Sequence, residues 1–232
     1  MPISNAAAAG AAMIAHKRIP HRLVRLMPGL HPLLVRFAGF EGFTVPALEL
    51  DGHKLQGTRR IARFLDEVRP EPPLFPAEPE QRARVEEAER WGEQTFQPIA
   101  RRLLWPAIKR NPGALASYSE HSKLPLPAPM IRLSAPMISR VEMKLNAATP
   151  EAERADLAAL PEHLDRIDGW IAEGLIGGET PNAADLQIAS TLRLMMTLED
   201  LRALIEPRPA AELALRLFPQ ADGHMPAGSL PV

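Results

Sequence analysis

The chain contains no cysteine. Disulfides, iron–sulfur ligation, thiolate zinc sites and a cysteine nucleophile are excluded together, and a reducing compartment, the cytoplasm, fits that usage. Charge of one sign is also missing: 27 Lys and Arg stand against 28 Asp and Glu, a net −1. No general field steers such a chain onto nucleic acid or an anionic membrane surface, and neither is expected as a partner. Nowhere do some ~18 residues run free of charge and proline, so no membrane span is expected. The alanines Ala6–Ala9 and Ala11–Ala12 follow no Lys or Arg, the first being Lys17, and do not read as a secretory leader. None of the seven histidines lies in an H-E-x-x-H setting and no glycine-rich phosphate loop is present, so no metal is expected. Trp91, Trp105 and Trp170 fall on separate helical segments and read as core.

Proline, by contrast, is abundant: 25 residues of 232, roughly twice the usual ~5%. The prolines gather around positions 70–79, 125–136 and 207–231, where they read as linkers and termini. An apolar content of 46% with 24% charge is that of a globular chain able to bury a core. Through Pro70 ten basic residues face five acidic ones, a net +5, which leaves −6 for the remainder. The changeover coincides with the proline-rich Pro70–Pro79. Residues 1–70 are therefore expected to form one domain, 71–80 a linker and 81–232 a second domain. A basic segment of this kind suits a small anionic ligand and, equally, a solvated arginine face.

Before the boundary the pattern mixes helix and strand. Asn5–His16 has the small apolar residues of a closely packed helix, with Ser4 or Asn5 as its N-cap. Arg22–Leu26 alternates as a half-buried strand would, ended by Pro28-Gly29, and His31–Phe37 reads as a short helix. Val45–Leu50, the turn Asp51-Gly52 and His53–Gln56 form a hairpin, followed by a helix from Thr58 to about Val68. Beyond the boundary only helices are expected: Glu80–Arg110, Met130–Leu145, Leu157–Ile171, and one starting at Asn182. There Asn182 and Asp185 can exchange side-chain-to-backbone hydrogen bonds as a capping box.

These positions resemble the cytosolic glutathione transferases. The family's V-P-x-L, D-G, acid-or-amide-plus-serine pair and following isoleucine are matched in register by Val45-Pro46-Ala47-Leu48, Asp51-Gly52, Gly57-Thr58 and Ile61. Its K-G-I-P is matched by Lys17-Arg18-Ile19-Pro20, and the box of its helical domain by Asn182-Ala183-Ala184-Asp185. The resemblance runs to about Phe218. It implies an α/β plus all-α chain, a thioredoxin-like N-terminal domain followed by an all-helical domain. It also implies a cytoplasmic homodimer that uses glutathione as co-substrate against a small electrophile.

The same resemblance assigns a site. Counting back from Pro20 places Ser4 where the serine-type classes hold the glutathione thiol, with Asn5 the nearest substitute donor; the single tyrosine, Tyr118, lies in the helical part, so the tyrosine-type mechanism does not apply. A thiol near pKa ~8.5 lowered by two units needs about 2.7 kcal/mol, within reach of one charge-assisted hydrogen bond and a helix N-terminus. Pro46 is expected to be cis and to present the Val45 backbone to the ligand, while Thr58 at a helix start would bind the γ-glutamyl carboxylate. Read without the family, Ser4 and Thr58 are plain N-caps. Two features depart from the pattern. Gly57 stands where the family has an acid or amide, and only Met1-Pro2-Ile3 precede Ser4, too few for the usual first strand of the sheet. Both favour an alternative: a non-catalytic glutathione-binding or protein-interaction module of the same fold.

Overall fold

The computed structural model describes residues 3–26, 30–119 and 127–231. Helix α1 spans Asn5–His16, and Ser4 caps it by accepting from Ala7 N at 3.2 Å. Its small side chains allow close packing. At Gly10 an added Cβ would lie 3.1 Å from the Pro46 Cβ, so the helix rests on that proline through a residue without a side chain. The end of α1 is fixed by Lys17, whose buried ammonium donates to Asp66 (2.6 Å), Arg69 O and Pro70 O, satisfying all three of its donors.

Helix α2 (His31–Phe37) precedes the hairpin of β1 (Ala47–Leu50) and β2 (His53–Gln56), antiparallel with Leu48 opposite Leu55. Asp51 and Gly52 both take positive φ, 50° and 81°, as a two-residue turn of this hand requires. Helix α3 (Thr58–Val68) follows and buries Ile61, Ala62 and Leu65. Val45 and Pro46 lie just outside β1, and their peptide bond is cis, as expected.

These two strands form the only sheet among the described residues. The strand expected at Arg22–Leu26 is not formed: the segment has no strand structure, and Leu23 is 48% and Val24 51% exposed. Alternation alone does not make a strand, because its backbone groups need a ladder partner. The described sheet consists of β1 and β2 alone, and this segment is not part of it. Of the residues before Ser4 only Ile3 is described, and it is buried in the core; Pro28-Gly29 lies outside the described residues.

The helical half consists of α4 (Pro79–Trp91), α5 (Gln97–Arg110), α6 (Ala128–Leu145), α7 (Pro150–Ala172), α8 (Ala183–Met195), α9 (Glu199–Ile205) and α10 (Pro209–Leu217). The single helix expected over Glu80–Arg110 is divided by a wider π-turn at Gly92–Phe96. The division falls where α8 packs close by: a Cβ on Gly92 would lie 3.0 Å from Ile188 Cγ1. Several prolines expected in linkers or termini instead belong to helices. Pro127 caps α6, Pro136 lies inside it, and Pro209 opens α10, where a missing N–H costs no intrahelical bond.

The chain is thus a thioredoxin-like N-terminal β–α part followed by an all-helical part. Helix α8 is the pillar between them, buried along nearly its whole length and packed on α1, α4, α5 and α10. Its start carries the expected capping box: Asn182 Oδ1 accepts from Asp185 N (3.1 Å) and Asp185 Oδ2 from Asn182 N (2.8 Å). The intervening proline-rich stretch is fixed rather than loose, since Leu74 and Phe75 enter the core and Leu74 O accepts from Ala183 N. Residues of both halves join one continuous hydrophobic core. No described helix is long and apolar enough to cross a membrane.

Candidate functional site

A cavity of about 400 Å3 opens between the two halves. One wall comes from the N-terminal half: Ser4 at the head of α1, His31 at the start of α2, and Val45 beside the cis bond. The other wall is α5 and α6, which present Arg101, Leu104, Trp105 and Glu142. A larger cavity of 670 Å3 runs along the alanine face of α1 and also reaches Ser4 and Asn5, but it does not touch Val45; Pro46, Gly57 and Thr58 line neither cavity. The smaller one is therefore the candidate cleft.

Ser4 is at its edge with a proton to give. Its Oγ accepts from Ala7 N, which leaves the hydroxyl hydrogen free to donate to a group in the cavity. Of the first helical N–H groups, those of Ala6 and Ala7 are met by Asn5 Oδ1 and Ser4 Oγ. Any added stabilisation of negative charge there comes from the Ser4 hydroxyl and the helix's positive end. Asn5 is not brought to the cleft: its side chain is buried, and Nδ2 donates to Thr191 Oγ1 on α8 at 3.1 Å. It joins α1 to the helical half.

Val45 lines the cavity, and Pro46 O accepts from Gly57 N at 3.1 Å, which brings the start of α3 beside the cis peptide. Gly57 is the N-cap of α3 with φ 87°, a conformation that favours glycine; it supplies no side-chain cap, and an added Cβ would meet nothing within 4 Å. Thr58 is buried, and its hydroxyl donates to Glu93 Oε1 at 3.1 Å. Its side chain thus has a protein partner. What α3 offers an incoming carboxylate is the uncapped backbone N–H groups of its first turn.

Three polar side chains of the cavity carry no motif in the sequence. The His31 Nδ1 is buried without a hydrogen bond, 3.9 Å from Glu142 Oε1, and burial lowers its pKa. The Nε of Arg101 is likewise buried without a partner; burial lowers the guanidinium's pKa while Glu142 raises it. A signal for Arg101 does exist. It stands three and four residues before Leu104 and Trp105, on the apolar face of its helix, where an arginine is out of place. Trp105 is buried core as expected, and it also lines the cavity. Trp91 and Trp170, on separate helices, meet edge to face at 5.1 Å, with Phe96 stacked on Trp91.

Comparison with known proteins agrees with the fold. Residues 1–73 match the family model of the glutathione S-transferase N-terminal domain. Over 43 residues, 18% of this chain and 18% of the relative's length, the sequence is 44% identical to a probable maleylacetoacetate isomerase 1 of Drosophila melanogaster. Among solved structures it is similar to the β-etherase LigF from Sphingobium sp. strain SYK-6 (TM-score 0.66, 18% identity, 92% of this chain and 91% of that one). It is similar too to a glutathione S-transferase from Rhodospirillum rubrum F11 (TM-score 0.61, 21% identity, 99% and 95% covered). FzlA from C. crescentus gives a TM-score of 0.58 at 20% identity, with 94% and 84% covered. The chain has the glutathione S-transferase fold, and its first 73 residues carry the sequence signature of that superfamily's N-terminal domain.

Proposed function

We propose that the protein is a glutathione transferase-like enzyme that joins the glutathione thiolate to a small electrophile in the cleft between its halves. The observation that carries this reading is the meeting of Ser4 and Val45 in one cavity with α5 and α6. Residues 1–70 supply the glutathione side, 71–80 the connection and 81–232 the electrophile side. The Val45 backbone pairs with the cysteinyl unit, and the N-terminus of α3 at Gly57-Thr58 takes the γ-glutamyl carboxylate. Ser4 donates its hydroxyl hydrogen to the sulfur and holds it as thiolate. The sulfur lone pair then forms a carbon–sulfur bond. In a substitution the leaving group departs with its bonding electrons; in an addition the adjacent carbon takes a proton from water. The names of two similar proteins, an isomerase and an etherase, mark isomerisation and ether cleavage as further fates that fit the same thiolate.

A cytoplasmic homodimer completes this reading. Helix α6 exposes Met130, Leu133, Met137 and Val141 at spacings of three and four, an apolar stripe suited to a second copy. Light scattering of the purified protein tests it. The alternative, a non-catalytic binding or assembly module, is favoured by one observation: the Thr58 hydroxyl is already engaged with Glu93. Calorimetric titration with reduced glutathione, followed by turnover assays against chlorodinitrobenzene and a panel of enones, separates the two. Saturable binding with turnover supports the enzyme. Binding without turnover supports the module, and a folded protein that binds no glutathione overturns both.

A further inference from the structure

We infer, resting on the glutathione reading, that His31 is the base of the cleft: its imidazole takes the proton of the bound thiol and holds it facing Glu142, while Ser4 holds the sulfur.

The thiol needs a proton acceptor that Ser4 does not supply. Ser4 Oγ already accepts from Ala7 N, and what it offers the sulfur is a hydrogen. Among the described residues that line the cavity, the ionisable ones are His31, Arg101 and Glu142. Of these three side-chain types imidazole stands nearest a thiol in proton affinity, ~6.5 against ~8.5, whereas a carboxylate stands near ~4.3 and a guanidinium keeps its proton.

The placement of His31 suits that role. It opens α2 in the same wall as Ser4 and Val45, and its side chain is only 11% exposed. Nδ1 makes no hydrogen bond and lies 3.9 Å from Glu142 Oε1. In the uncharged ring a carboxylate on that side favours the hydrogen on Nδ1, which leaves Nε2 as the lone-pair nitrogen. Burial, with the charge of the chain's amino terminus adding to it, lowers the pKa of His31 and so favours the proton-accepting form. Once the proton has moved, Glu142 on α6 and the new thiolate are two negative groups beside the imidazolium, and they offset the cost of its burial. Arg101 on α5 is the cation of the opposite wall. Glu142 acts on it electrostatically as well, so that carboxylate serves both Arg101 and His31.

The step balances without a further reactant. The S–H bond breaks with its electron pair left on sulfur, and the proton joins the Nε2 lone pair. After the sulfur has bonded to carbon, the imidazolium gives that proton to water and the ring is again uncharged.

Counting protons against thiolate tests this without an electrophile. Reduced glutathione is titrated into the full chain at about pH 7.5, between the ordinary imidazole and thiol ranges. Ultraviolet absorbance reads the thiolate formed, and calorimetry in buffers of different ionisation heat reads the protons released. S-methylglutathione, which has no thiol proton, gives the baseline for both. The native protein is expected to release clearly fewer than one proton per thiolate, the count rising toward one as pH falls through the His31 pKa. His31→Gln is expected to release about one per thiolate at every pH and to bind S-methylglutathione within about twofold of the native protein. Its kcat/KM with chlorodinitrobenzene should fall at least about tenfold and recover in part with added imidazole.

One full proton per thiolate from the native protein overturns the proposal and leaves the glutathione reading intact, and so does glutathione that binds only as the thiol. A count in His31→Gln equal to the native one overturns it, as does a loss confined to S-methylglutathione affinity, which assigns the ring to binding. A folded protein that binds no glutathione overturns both readings. The native count decides even if the variant folds poorly.

Discussion

The guanidinium of Arg63 on α3 donates to the fully buried carboxylate of Glu89 on α4 at 2.8 Å, across the boundary between the basic and acidic parts of the chain. Arg59 flanks the same pair, 3.6 Å from Glu89 and 3.9 Å from Glu93. The basic excess before Pro70 is therefore directed in part at the neighbouring helix and not at a ligand. Burial raises the pKa of Glu89, with Arg63 the main opposing influence. Removing Arg63 leaves that carboxylate buried and poorly matched, so Arg63→Ala is expected to destabilise the protein by about 2–4 kcal/mol at pH 7. A raised folded pKa means the proton is held more tightly in the folded state, so the penalty operates above the usual carboxylate range and fades as pH falls through it. Urea unfolding at pH 7 and pH 4 checks this. Equal losses at both would contradict it.

Ser4 serves as both helix cap and proposed thiol donor, and the two roles separate by substitution. Ser4→Ala is expected to lower turnover at least about tenfold with little change in glutathione affinity, together with about 1 kcal/mol of stability. Ser4→Thr keeps the hydroxyl and should retain both. Steady-state kinetics paired with thermal melts provide the check, and an unchanged rate in Ser4→Ala would remove the residue from the mechanism.

Lys17 and Asp66 form an unequal pair, with side chains 0% and 14% exposed. Asp66→Ala strands a fully buried ammonium and removes the acceptor for Leu74 N, and a loss of about 3–5 kcal/mol is expected. Lys17→Met fills the same space with an apolar chain and leaves Asp66 bonded to Leu74 N and partly in water. Its cost should be clearly smaller. Denaturant titration of the two variants reads the asymmetry, and the reverse order would refute it.

Tyr118 is buried, with its phenol 2.8 Å from Thr197 Oγ1, and burial pushes its pKa up to about 12. As the only tyrosine it can be followed alone by ultraviolet absorbance. The unfolded phenol ionises near ~10, so its contribution to stability is complete below that pH and is lost as pH rises toward about 12. Tyr118→Phe should remove that part of the alkaline loss and cost about 1 kcal/mol at pH 7. A tyrosinate midpoint near the ordinary value in folded protein would contradict the burial argument.

Several elements were legible because their signals are local. Ser4 as cap, Asp51-Gly52 as turn, the apolar spacing of Ile61 and Leu65, and the Asn182–Asp185 box each depend on residues within one turn of one another. The features that were not legible depend on distant partners. The π-turn at Gly92 reflects the closeness of Ile188, and the strap after α10 is held by Asp200, whose carboxylate accepts from Gly228, Ser229 and Leu230. Gly223 in that strap faces the Tyr118 ring so closely that no side chain fits there. Neither relation leaves a periodic trace.

The sequence by itself determined the first helix, the hairpin turn, the helix that follows it and the Asn182–Asp185 capping box, because these follow from backbone preferences over a few residues; the register of Val45-Pro46 with Gly57-Thr58 was carried by the family resemblance. Tertiary structure decided which polar groups are satisfied and which remain open. It turned Asn5 toward Thr191, engaged Thr58 with Glu93, and buried the Arg101 Nε in the cleft wall without a hydrogen-bond partner. The reason is physical: a side chain's type fixes what it can bond, but only the packing of elements far apart in the chain fixes what stands within three ångströms of it.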